Sequence, residues 1–449
     1  MRLETVKTFV LIVLIGISML LSYTLWSYQP NSNRTIGGEI VDKETDVGGL
    51  SDKTKRSMVK PGEIIFHKQD RYYGFINAVE RDQLYEEMQK WVITDFEAQT
   101  SDEDFQKPNN GVELIFPDEI PMDIMNSLFK FGFDDFILPT WSIDRIFISF
   151  LTESKSLQLD FISSENNQTS HAVINDTKSY EKLWSMMANI NEEKLQRYLV
   201  INEDTSPIYI PQDPVSLPNY SITATDINPG RFVNILFANP TIVRETNSES
   251  IGEAYFTDSR QLSVYSERMR MEYVNHATSN ANEDVFITEV ELLDRTIRNI
   301  NSHSGWTGDY RLEDIHSPLH RISFQMYYRG YPVFSNYKLS TIQQRWGVSQ
   351  TGDMQLLNYD RPLFSFDREV LLREVDDLSS GENVIAYLEN HTDVAFENIQ
   401  DIKVGYELIY KRDDQESEYI ELNPMWYKKE NGIWQKIVFD EDTNPKGVE

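Results

Sequence analysis

One stretch breaks the mixture of polar and apolar positions that runs through the rest of the chain. Thr8 to Trp26, TFVLIVLIGISMLLSYTLW, is nineteen residues without a charge. As an α-helix it would be about 28 Å long, close to the thickness of a bilayer's hydrocarbon core. Arg2 and Lys7 precede it with only Glu4 opposing, which predicts a cytoplasmic N-terminus and an extracytoplasmic remainder. Tyr23, Trp26 and Tyr28 fall where such a helix leaves the bilayer, the depth preferred by amphipathic rings. A cleaved signal peptide shares this layout but has a shorter apolar core followed by small residues. The aromatic exit here favours a retained anchor. Ile15, Ser18, Ser22 and Leu25 lie along one face of the helix, with Gly16 on a neighbouring face. Small residues permit close helix approach, and the serine hydroxyls can bond across an interface or back to their own helix.

Beyond Trp26 the pattern becomes that of a folded polar chain. Residues 31–60 lack apolar periodicity and read as a tether, with structure starting near Glu63. Ile64-Ile65-Phe66 and Tyr72 to Phe75 read as short strands, and Leu84, Met88 and Trp91 mark one face of a helix. Glu97 to Asp104 reads as an acidic loop, Val112 to Phe116 as a strand and Pro121 to Phe129 as a short helix. Arg145 to Leu151 predicts a buried strand, while Leu157, Leu159 and Phe161 alternate with polar neighbours as in a half-buried one. Tyr180 to Ile190 is helical, and Ser206 to Pro218, with four prolines, is loop or edge. Asn228-Pro229 opens a helix that Asn239-Pro240 closes, and short strands follow from Glu253 to Tyr273.

The last third repeats an order of elements. A helix with Val290, Leu293, Ile297 and Ile300 leads to a strand with Ile322, Phe324, Met326 and Tyr328. A helix around Val384 to Leu388 leads to a strand with Ile402, Val404, Tyr406, Leu408 and Tyr410. Internal duplication and chance both account for this, since helix followed by strand is the commonest sequence of elements. Asn431-Gly432 between apolar runs is a strong hairpin signal. The fold class is α+β: an N-terminal transmembrane helix, then extracytoplasmic domains of antiparallel sheets with helices on one face. The divisions are 1–30 (cytoplasmic start and anchor), 31–60 (linker), 61–165, 166–270, and 271–449 with the candidate repeat.

Composition narrows the chemistry. The 449 residues contain no cysteine, which excludes disulfides, thiolate nucleophiles and thiolate metal sites. Seventy-two acidic against 42 basic residues, a formal net charge of −30, disfavour nucleic acid and anionic lipid surfaces. His316 and His320 are the only histidines at a ligand-like spacing, and Ser317-Pro318 between them removes the helix that the spacing needs. No Gly-x-Ser-x-Gly, P-loop or Gly-x-Gly-x-x-Gly occurs. Ser304-Gly305-Trp306-Thr307-Gly308 reads as the turn ending a helix. No catalytic residue, cofactor or metal is indicated, and binding is what remains.

Several stretches are similar to the YycH (WalH) family of Gram-positive bacteria. They are the Leu25-Trp26-Ser27-Tyr28-Gln29-Pro30 exit, Asn234-Ile235-Leu236-Phe237, Thr241-Ile242-Val243-Arg244 and Gly330-Tyr331-Pro332-Val333-Phe334. Arg345-Trp346-Gly347, Val404-Gly405-Tyr406-Glu407 and Pro424-Met425-Trp426-Tyr427 continue the series. The resemblance implies a single-pass cell-membrane protein without enzymatic activity. It would act with a companion, YycI, on the sensor histidine kinase WalK (YycG), which controls cell-wall metabolism. A tethered extracytoplasmic protein that binds or processes wall material is the alternative.

Overall fold

Strand β1 (Glu63–Lys68) shows how the first sheet is built. Its side chains alternate between two faces. Ile64 and Phe66 enter the main core, whereas Ile65 and His67 point to the opposite face. The same alternation runs through β5 (Asn110–Pro121), where Val112 and Leu114 face the core and Glu113 the other side. In β7 (Ser142–Leu151), Ile146 and Ile148 face the core and Arg145 turns away.

In the computed structural model the described residues are 45–439, except 99–106, 133–136, 165, 203–205, 249–251, 266–268, 278–286, 350–352, 391–395 and 413–417. The anchor run, with Ile15, Ser18, Ser22, Leu25, Tyr23, Trp26 and Tyr28, lies outside them, as does most of the acidic loop. Among the described residues no helix is long and apolar enough to cross a membrane.

The remaining strands before residue 212 are β2 (Tyr72–Phe75), β3 (Val92–Ile93), β4 (Asp95–Glu97), β6 (Lys130–Phe131), β8 (Ser156–Ser163), β9 (Gln168–Ile174), β10 (Leu195–Ile201) and β11 (Ile208–Pro211). Nine of these strands form one sheet in the order β11-β10-β2-β1-β5-β7-β8-β9-β4, and β3 pairs with β6 separately. Helices α2 (Ala78–Met88) and α4 (Thr177–Ala188) cover its core face through Leu84, Tyr85, Met88, Tyr180, Leu183 and Met187. The short α1 (Lys55–Met58) and α3 (Met125–Leu128) complete that layer.

The second sheet holds β12 (Ser216–Asp226), β13 (Arg244–Ser248), β14 (Gly252–Phe256), β15 (Arg260–Tyr265), β16 (Arg270–Asn275), β17 (Asp309–His316), β18 (Arg321–Tyr328) and β19 (Tyr331–Phe334). It continues with β20 (Thr341–Val348), β21 (Met354–Pro362), β22 (Phe364–Asp377), β23 (Ile399–Arg412), β24 (Glu418–Glu430) and β25 (Ile433–Lys436). Its path is β13-β14-β15-β16-β21-β20-β18-β19-β23-β24-β12-β22, with β17 on β18 and β25 on β24. Among the described residues all of its pairings are antiparallel except β19 with β23, which join through Val333↔Tyr406 and Phe334↔Glu407. Helices α5 (Pro229–Leu236), α6 (Glu289–Asn301) and α7 (Gly381–Asn390) pack into the same continuous core. Residues 43–449 form one compact unit, an α+β architecture of antiparallel sheets with few helices. Helix α6 leads into β17–β18 and α7 into β23–β24.

Two expectations need correction. The proline-rich stretch 206–218 does supply an edge strand, β11, but its end is the start of β12, which runs between β24 and β22. Pro218 has no partner on β24, which pairs only with Tyr220 to Thr223, and on β22 it faces Val375 at a register irregularity, the kind of position at which a strand accommodates proline. Structure also begins well before Glu63. Val47–Leu50 is hydrogen-bonded to residues 303–306, and α1 follows, capped by Thr54.

Candidate interaction site

A cleft of about 1510 Å³ opens beside the meeting of the two sheets. One wall comes from the first sheet, where the β5–β7 register shifts between Ile115 and Ile120 and the intervening Phe116–Glu119 bulges out. The other wall is the polar face of β17, β18 and β20. There Asp314, Ser323 and Gln343 sit opposite one another across three strands, next to Arg321 and His316. The β24–β25 hairpin adds Lys429, Trp434 and Lys436. Its Asn431-Gly432 turn has both residues at positive φ, 51° and 75°, as a two-residue hairpin turn requires.

The charges in this cleft largely satisfy each other. Arg321 Nη2 lies 2.7 Å from Asp314 Oδ2, and Lys436 Nζ lies 2.8 Å from Glu407 Oε2. Lys403 Nζ lies 2.5 Å from Asp401 Oδ2. Burial pulls Lys403 down, but Asp401 and then Tyr327 and Glu313 outweigh it and hold the ammonium above its usual range. Trp434 donates its indole N–H to Glu313 (2.9 Å), and Lys403 and Lys429 lie over its ring at 5.2 and 5.8 Å. Asp118 is the exception. Burial and then the facing Asp314 push its carboxyl up to about 6, opposed by Lys429. Its side chain accepts the Ile315 N–H at 3.4 Å. Apart from Asp118, these charged groups are thus tied into pairs, an arrangement suited to recognising a polar surface.

On the adjoining back face of the first sheet, Glu113 is fully buried and holds a network together. It accepts from Tyr209 Oη (2.7 Å), bonds His67 Nε2 (2.8 Å), and pairs with Arg145 Nη1 (2.9 Å) and Lys107 Nζ (3.1 Å). Burial alone would raise the Glu113 carboxyl. The His67 hydrogen bond, Lys107 and Arg145 together overcome that and hold it well below the usual carboxylate range. Burial lowers His67, a shift that its bond to Glu113 only partly offsets.

His316 and His320 do not share a helix face. His316 ends β17, Ser317–Leu319 make a 3₁₀ turn, and His320 adopts a left-handed conformation with φ 47°. Ser304 to Gly308 is the turn after α6, with Trp306 buried. Sequence reading missed the role of this turn. Arg361, fully buried on β21, donates to Gly305 O (2.8 Å), Tyr359 Oη (3.1 Å) and Thr307 Oγ1 (3.1 Å), and lies over Phe232. His303 Nε2 shares the Tyr359 hydroxyl at 3.1 Å. Burial and then Arg361 bring this imidazole down to about 3. No local signal marks Arg361, since a lone arginine in a strand reads as a solvent-facing residue.

Family profiles match most of the chain. The one described as "YycH protein, N-terminal domain" covers residues 4–192, and "YycH protein, C-terminal domain" covers 205–443. A protein of Bacillus subtilis (strain 168) named "Two-component system WalR/WalK regulatory protein YycH" is 22% identical over 450 residues, 96% of each chain. The crystal structure of YycH from Bacillus subtilis superposes with a TM-score of 0.70 at 18% identity, covering 88% of this chain and 100% of the other. The likeness extends to the fold.

Proposed function

The chain belongs to the YycH family, and from that membership we propose that it is a membrane-anchored, non-enzymatic regulator of a two-component sensor histidine kinase of the WalK (YycG) kind. The observation that carries this is the relative that matches along 96% of both chains and is named a regulatory protein of WalR/WalK. The uncharged run Thr8–Trp26 with its aromatic exit supports a single-pass anchor in the cell membrane, N-terminus inside. The paired charges of the cleft support a role in contact. Regulation would run through the Ile15/Ser18/Ser22/Leu25 face and through the extracytoplasmic surface, together with a YycI-like companion. A two-state kinase needs only about 1–3 kcal/mol of differential contact to change its output several-fold.

The test is recovery of partners from solubilised membranes with the full chain as bait, alongside the double substitution Ser18→Leu, Ser22→Leu. Leucine is at least as apolar as serine but too large for close helix approach. We expect a histidine kinase in the eluate and, at equal membrane level, a changed phosphorylation-dependent reporter in the double variant. Retention on purified wall material with no kinase recovered would favour the tethered wall-binding alternative.

A further inference from the structure

The stretch that leads from the expected anchor into the folded part does not go straight to its neighbour in sequence, β1. It first lies along the turn after α6. Val47 N–H donates to His303 O (2.9 Å), Gly49 N–H to Ser304 O (2.8 Å) and Leu50 N–H to Trp306 O (2.9 Å), with Trp306 N–H returned to Leu50 O (3.4 Å). Arg231 Nη1 donates to Asp46 O (2.6 Å), and Asp46 Oδ1 accepts the Gly48 N–H (2.8 Å). Val47 is buried while Leu50 is half exposed. The fit demands glycine. Gly48 has φ +92°, and a Cβ on Gly49 would stand 2.4 Å from Trp306 O and 2.8 Å from Ser304 O, both backbone atoms.

What receives this strap cannot easily follow it. Gly305 and Thr307 are pinned by buried Arg361, and Trp306 is buried, its indole N–H donating to Asn301 Oδ1 (2.7 Å). Beyond the strap, Lys53 and Asn301 exchange hydrogen bonds (3.2 and 2.8 Å), Lys55 pairs with Asp294 (2.9 Å), and Met58 and Val59 enter the core. Asp46 to Asp52 is thus a short segment held by backbone bonds, the Arg231 side chain and a single core side chain, Val47, between a firmly held stretch on its C-terminal side and the lead from the anchor. Such segments open locally at far lower free energy than the whole fold.

We propose that Asp46–Leu50 is a latch that sets where the membrane lead attaches to the folded part, and that its release is a regulatory step. Release moves the attachment point to Lys53. That lengthens the lead by up to seven residues, about 20–25 Å when extended, and so changes the effective concentration of the extracytoplasmic surface at a neighbouring membrane protein. The inference rests on the anchored-regulator reading.

The experiment uses the full chain in lipid vesicles. Gly49→Ala opens the latch, and a second variant keeps it but carries seven added Gly/Ser residues between Asp42 and Lys43. Because the protein lacks cysteine, a single dye on Glu153→Cys, in the exposed β7–β8 turn, reports energy transfer to a membrane dye. In Gly49→Ala we expect the Val47, Gly49 and Leu50 amides to exchange about tenfold faster with Ile64 to Phe66 unchanged. Both variants should show reduced transfer and a reporter shifted in the same direction, about twofold or more. Unchanged exchange, or faster exchange with unchanged transfer, overturns the latch. So does an unchanged reporter in both variants when deleting the whole gene product alters it, a result that leaves the regulator reading standing. If deletion leaves the reporter unaltered, the regulator reading falls and the regulatory step with it, while transfer and exchange still decide whether Asp46–Leu50 sets the attachment point.

Discussion

At the scale of single residues, the buried charges give the sharpest expectations. Removing one member of a buried ionic network strands the others. Glu113→Ala removes the acceptor of buried His67 and of Arg145 Nη1, although Arg145 keeps Asp144 and Pro207 O, and it should cost about 3 kcal/mol in urea unfolding. Glu113 has a folded pKa below its unfolded value, so its contribution is present above about pH 4.5 and is lost as pH falls towards the folded value. His67, also depressed, favours the folded state above about 6.5 and loses that advantage below it. Both terms predict acid destabilisation; Glu113→Ala removes the carboxylate's share but deepens that of His67, whose bond to Glu113 is what offsets burial. Asp118 has the opposite sign. Its folded pKa, about 6, exceeds the ordinary 3.8, so its contribution is full below about 4 and is lost as pH rises through 6. Asp118→Asn should therefore gain about 1–2 kcal/mol over the parent at pH 8 relative to pH 4, allowing for partial solvent screening. Paired denaturation curves at the two pH values measure it.

At the scale of elements, strands whose burial alternates were legible because the period of two is written locally. Leu157 and Leu159, set between polar neighbours, are examples, and the Asn431-Gly432 hairpin was legible from its turn residues. The start of β12 was not, since Pro218 argues against a strand unless it is known that β24 stops pairing at Tyr220. The parallel β19–β23 contact is likewise invisible in sequence. It places Gly405 so close to its neighbour that a Cβ would lie 2.6 Å from the Phe334 ring and 2.7 Å from Pro332 O. Gly405→Val should overpack this junction and lower stability by about 1–3 kcal/mol, read by thermal unfolding. Strands β23 and β24 keep their long antiparallel ladder, so the loss should appear as a lower midpoint with secondary structure retained.

At the scale of the whole molecule, the two sheets are tied by polar contacts between distant parts of the chain. Arg81 on α2 donates to Gly330 O (2.7 Å), Asp82 pairs with Arg311 on β17 (2.5 Å), and Tyr331 Oη donates to Ile76 O (3.0 Å). Burial would raise Asp82, but Arg81 and Arg311 together hold it below its ordinary value. With one continuous core and these ties, calorimetry should show a single transition for residues 43–449. Asp82→Ala, which removes the carboxylate shared by two buried guanidinium groups and leaves Arg81 with Glu63 and Arg311 with Asp309, should lower that transition by about 1–3 kcal/mol without splitting it. Two resolved transitions would mean that the sheets unfold separately.

The sequence by itself determined the family, the α+β class, most strands and helices, and the absence of cysteine chemistry. Each of these depends on residue identity or on spacing within one element. Tertiary structure alone decided that a cleft forms from the Phe116–Glu119 bulge and the β17–β18–β20 face. It also decided that Glu113 is the centre of an ionic network and that Val47–Leu50 is fastened to a turn some 250 residues away. Those features consist of pairings between backbone and side-chain groups far apart in the chain. A backbone N–H or a carboxylate looks the same in sequence whichever distant partner satisfies it, and only the folded arrangement selects that partner.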